Sequence, residues 1–106
     1  MNREDVIKEF HRMWDTFPGI ARLITDKHEI IAANETARKA GFTEGAFCAR
    51  VGTPESHRNC LLGKMFRTGE TQLQRFGEDR IKGWMPVDGF QDLCIHFAVV
   101  IPEEKQ

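Results

Sequence analysis

The segment from Ile20 to Phe42, IARLITDKHEIIAANETARKAGF, constrains the fold more than any other part of the chain. An apolar run from Ile20 to Thr25 gives way to a polar turn at Asp26-Lys27-His28, and a second run follows from Glu29 to Ala33. Short runs of this kind, bounded by turn residues, read as strands, and the brief connection makes them an antiparallel hairpin. Asn34 then offers a side-chain oxygen to the free N–H groups of a helix that begins near Glu35. Gly41 supplies the left-handed residue that ends such a helix. A hairpin that runs straight into a helix must lay that helix across a face of its sheet.

The flanking sequence extends this pattern on both sides. Residues 2–17 read as a helix capped by Asn2, with Asp5 three residues on and Val6, Phe10, Met13, Trp14 and Phe17 recurring at helical spacing. Pro18-Gly19 stops it. Its apolar stripe must be covered by the back of the chain's own sheet or by a second subunit. Beyond Gly41, Glu44 to Val51 is short and helical or irregular. Thr53-Pro54-Glu55-Ser56 opens a longer helix with Thr53 as N-cap, which carries Leu61, Leu62, Met65 and Phe66 and closes at Gly69. Strands follow at Thr71 to Phe76, Ile81 to Val87 and Leu93 to Ile101, with Asp88-Gly89 as a tight turn. Pro86 lacks an N–H, so a bulge or an unpaired edge is expected there. The order specifies an α+β fold with one antiparallel sheet.

Composition narrows the function classes. The chain has 106 residues and a formal net charge of −1, with acidic and basic residues interspersed. One domain and one core are expected. A concentrated basic patch of the kind that binds nucleic acid is missing. No apolar run reaches the roughly 20 residues that cross a bilayer. The charged start has no signal-peptide core, and the three cysteines fit reduced thiols. The expectation is a cytoplasmic protein that binds neither nucleic acid nor membrane. No G-x-S-x-G, phosphate-binding glycine loop or H-E-x-x-H occurs, so an enzyme is not expected.

The residues most suited to chemistry are Cys48, His57 and Cys60, with Cys94 and His96 on the last strand. His57 and Cys60 stand three apart on the expected long helix, which lets them share a face. Thiolate and imidazole ligands suit Zn²⁺ or iron. Cys48 and Cys60 could equally form a redox pair, with Arg50, His57 and Arg58 as positive surroundings. The ordinary role of such cysteines is as small core hydrophobes.

The sequence I-A-R-L-I-T-D followed by E-I-I-A-A-N-E-T-A-R-K-A-G-F resembles the opening of a PAS domain, a small sensory module. L-G-K-M-F-R-T-G-E is similar to the long PAS helix and the turn after it, and W-M-P-V-D-G-F-Q-D-L-C-I-H-F-A-V-V-I-P looks like the final hairpin. The resemblance implies a five-stranded sheet of order 2-1-5-4-3, helices enclosing a central pocket, and dimerisation through an N-terminal helix. On that basis residues 1–17 form the amphipathic helix, 18–102 the PAS-like domain and 103–106 a tail. The expected dimer interface is Val6, Phe10, Met13, Trp14 and Phe17. Haem is a further cofactor option beside Zn²⁺ and iron, with His57 as axial ligand. The chain carries no kinase, cyclase or DNA-binding partner domain, so its signal would pass to a partner in trans, or the chain belongs to something larger.

Alternation divides the last strand into two apolar rows. Leu93, Ile95, Phe97, Val99 and Ile101 form one; Cys94, His96, Ala98 and Val100 form the other. Both faces of the sheet must then be covered. Small Cys94 and Ala98 mark the pocket side, where Phe42, Phe47, Leu61, Met65, Trp84, Cys94 and His96 are the expected lining of a small-molecule site.

Overall fold

A computed structural model describes residues 2–51 and 60–103 of the chain. Asn2 caps α1 (Arg3–Trp14): its side chain accepts from the Asp5 amide while Asp5 accepts from the Asn2 amide, the reciprocal pair of a capping box. Strands β1 (Ile20–Thr25) and β2 (Ile30–Ala33) form the expected hairpin. Helix α2 (Glu35–Lys39) follows, capped by Asn34. Gly41, at φ +98°, completes its end: the Gly41 amide donates to the Arg38 carbonyl and the Phe42 amide to the Ala37 carbonyl. These two bonds are the Schellman closure that a left-handed glycine permits. They also turn Phe42 back toward the sheet.

A 3₁₀ turn at Cys48–Arg50 lies ahead of α3 (Leu62–Thr68), which ends on left-handed Gly69. The expected N-cap at Thr53 and the start of the long helix lie outside the described residues. Cys60 and Leu61 are not helical, so α3 starts later than a helix unbroken from Thr53 would require. Gly63 in its first turn is a weak helix former and favours a short element. Strands β3 (Gln72–Phe76), β4 (Arg80–Val87) and β5 (Phe90–Val100) complete the molecule. The ladder slips between Pro86 and Val87, where proline has no N–H to contribute.

All five strands form one antiparallel sheet in the order β2-β1-β5-β4-β3. The two rows of β5 part as their alternation requires. Leu93, Ile95 and Phe97 join Ala21, Leu23 and Ala32 under α1, which contributes Val6, Phe10 and Trp14. Cys94 joins Ile24, Ile30, Ala33 and Trp84 under α2 and α3, with Ala37, Leu62 and Met65 from the helices. Full burial of side chains such as Leu23, Ile24 and Phe10 stabilises the fold by roughly 1.5–3 kcal/mol each. The sheet is therefore the shared wall of two apolar layers.

Asn34 joins those layers. It is fully buried, and its Oδ1 accepts from the amides of Ala21 and Ala37. Its Nδ2 donates to the carbonyls of Trp14 and Gly19. One side chain thus ties the end of α1, the link after it, β1 and the start of α2, with every amide hydrogen used.

Candidate functional site

The strand register sets a row across the middle of the face beneath α2 and α3. Ala33 pairs with Arg22, Arg22 with His96, His96 with Trp84 and Trp84 with Gln72. Trp84 is fully buried and its ring stacks on His96, with centroids 4.6 Å apart and planes 14° from parallel. His96 Nδ1 donates to the Gly83 carbonyl at 2.9 Å, which fixes the ring against its neighbour. An aromatic pair held this way gives the floor of the site a rigid, flat centre.

Arg22 is the unexpected member of the row. It stands between Ile20 and Ile24 on an apolar strand and is only 4% exposed. Its Nη1 donates to Cys48 Sγ at 3.1 Å, and its guanidinium lies 4.2 Å from the centre of the Phe42 ring. Nε is buried with no hydrogen-bond partner. Burial lowers its affinity for a proton, and the groups that act in the opposite direction are thiols (Cys48, Cys60 and Cys94). Burial likewise raises the Cys48 pKa despite the adjacent cation, and pushes Cys94 up to about 12. Both thiols stay neutral, so neither compensates the guanidinium. An ion buried without an opposite charge is costly to any fold.

Lys82 adds positive charge from the same face. It pairs with Ala98 on β5, and its Nζ sits 4.0 Å from the centre of the Phe76 ring. Burial lowers its pKa, and Arg22 lowers it further by repulsion.

The expected lining residues converge in part. Met65, Trp84, Cys94 and His96 are buried together, and Phe42 and Leu61 pack against that cluster. Phe47 does not close the wall. It is 37% exposed because the Glu29–Phe47 bridge holds its backbone at the sheet margin, where the Arg50 guanidinium covers the ring from 4.9 Å. Arg22 and Lys82 escaped the sequence reading. The signal for Arg22 was a single cation in an otherwise apolar strand, on the side that alternation shares with Ile20 and Ile24.

The metal candidates are described only in part. Cys48 is buried beside a cation, Cys60 is exposed, and His57 lies outside the described residues. Among the described residues no group of three or more His, Cys, Asp and Glu could hold a metal. For the redox pairing, burial raises the Cys48 pKa and keeps its thiol neutral, which makes it a poor nucleophile.

The expected dimer stripe is mostly used within the chain. Val6 and Phe10 are buried on the sheet, while Trp14 and Phe17 pack on Phe97 with centroids 5.8 Å away in both cases. Met13 is 61% exposed. Val6, Phe10 and Trp14 recur every four residues and face the sheet, and Met13 sits about 100° round the helix from Trp14.

An open groove of about 880 Å³ runs between the end of α3 and the β4–β5 turn, past Met65, Phe66, Gly69, Pro86 and Phe90. Among the described residues no helix is long and apolar enough to cross a membrane. No protein-family model matches the chain, and neither does any curated protein sequence.

Proposed function

We propose that the chain is a PAS-like sensory module. It takes a small molecule on the helix-covered face of its sheet and passes the occupied state to a protein partner, first of all a second copy of itself. The observation that carries this reading is the row Arg22–His96–Trp84, a cation and a stacked aromatic pair set into an otherwise apolar layer. Polar groups so placed among apolar walls are the ordinary composition of a ligand site. A sensor of this kind acts when its ligand favours one arrangement of the helices over another.

The opposite face supports the partner. Leu73 is 66% exposed and pairs with Gly83, which pairs with Phe97, so it continues the apolar row that α1 covers. Together with exposed Met13 it leaves the α1 side of the molecule suited to a second copy. Native mass spectrometry of the full chain tests both parts at once. A dimer with added small-molecule mass is the expected result; a bare monomer at all concentrations would remove the reading.

A further inference from the structure

Four polar side chains are buried among the described residues, and three have their partners. Thr25 accepts from the amides of Lys27 and Glu29, Asn34 makes four hydrogen bonds, and His96 donates to Gly83. Arg22 differs. It carries a permanent charge, its one hydrogen bond goes to a neutral thiol, and its Nε has no partner. Salt bridges of the described arginines to carboxylates all lie on the surface, at Arg3, Arg12 and Arg38. Arg22 is the buried arginine, and no carboxylate among the described residues pairs with it.

We infer that the missing acid arrives with the ligand: the site takes a small monocarboxylic acid with an apolar body. Its carboxylate meets the guanidinium edge at Nε, and its body lies among Phe42, Leu61, Met65 and Trp84. Three observations select this class. A guanidinium edge matches a planar carboxylate through paired N–H···O bonds. One buried cation is neutralised by one negative charge, which a monocarboxylate supplies and a phosphate exceeds. The surrounding side chains are mostly apolar and aromatic, with one further unpartnered donor at Trp84 Nε1, so the remainder of the ligand is mainly apolar. Lys82 adds favourable potential but sits over Phe76 toward the β3 edge.

Nε is closed from solvent, so the acid reaches it only by displacing the side chains that cover the sheet. Binding and rearrangement are then one event, which is what a sensor needs. This inference rests on the ligand site proposed above and names its chemistry.

Calorimetric titration of the full chain tests it, at constant ionic strength, with acetate, butyrate, benzoate, the neutral benzamide and inorganic phosphate. Butyrate or benzoate is expected to bind, with benzamide at least about tenfold weaker and phosphate silent. Arg22→Met should weaken the acid at least about tenfold, and Arg22→Lys, which keeps the charge without the planar fork, by a smaller factor. Without ligand, Arg22→Met should melt above the parent chain, because an uncompensated ion has been removed. A lower melting temperature would mean that the charge is satisfied within the chain and would overturn the inference. If Arg22→Met does not fold, the Arg22→Lys comparison decides. Equal affinity for benzoate and benzamide, an unaffected arginine variant, or a preference for phosphate would each refute the carboxylate assignment while leaving a ligand site in place. Failure of every acid would also refute it, and the mass spectrum above would still judge the sensory reading separately.

Discussion

The side-chain amide of Asn34 donates to the backbone carbonyl of Trp14 at 3.1 Å, so the last turn of α1 is fastened to the residue that starts α2. The same side chain serves the Gly19 carbonyl and two amides. Asn34→Ala should therefore cost about 3 kcal/mol, from the lost cap and the unpaired groups left in the interior. Urea denaturation followed by tryptophan fluorescence measures it. A change below about 1 kcal/mol would show that these bonds are replaceable.

Gly83 allows the Phe97 ring to lie directly on β4. A Cβ at Gly83 would overlap three ring atoms, the most distant of them at 2.9 Å. Gly83→Ala should destabilise the chain by about 1–3 kcal/mol, the usual cost of overpacking. Adding Phe97→Leu should recover part of that loss, and the coupling appears as non-additivity in a double-mutant cycle.

Cysteine reactivity should separate one thiol from two. Cys60 is exposed, whereas Cys48 and Cys94 are buried with raised pKa values. A disulfide-exchange reagent at pH 8 should label Cys60 rapidly and the other two only after denaturation. Rapid labelling of Cys48 in the native chain would contradict the neutral thiol beside Arg22.

The same burial gives a pH dependence. The Cys94 thiol ionises near 9 when free and at about 12 when folded. Above pH 9 the unfolded chain loses this proton while the folded chain keeps it, so folding weakens as pH rises. The stabilising contribution is complete below pH 9 and disappears toward pH 12. Cys94→Ala should flatten the decline in denaturation midpoint over that window, relative to the parent.

Met13 and Leu73 are two exposed apolar residues on the α1 side. Met13→Lys with Leu73→Lys should weaken self-association in sedimentation experiments while leaving monomer stability within about 0.5 kcal/mol. Unchanged association would place any interface elsewhere.

Local signals made most of the fold legible. Period-two alternation in β5 assigned each residue to its face, and Pro86 announced the slip in the ladder. Capping chemistry located Asn2, Asn34 and Gly41 because each satisfies backbone groups only a few residues away. Long-range roles were not readable. That Asn34 also reaches Trp14 depends on where α1 ends in space. Arg22 looked like an ordinary strand residue because its burial depends on Phe42 and Cys48, which arrive from other elements. Phe47 counted as a wall by hydrophobicity alone, and its backbone bridge put it at the margin.

Ala21 and Arg22 are consecutive, so opposite sides of the molecule hang from a single peptide unit of β1. The amide of Ala21 is held by Asn34, which also grips the final turn of the amphipathic helix. A tug on the guanidinium beneath α2 and α3 has therefore only one residue and one carboxamide to cross before it reaches the far surface.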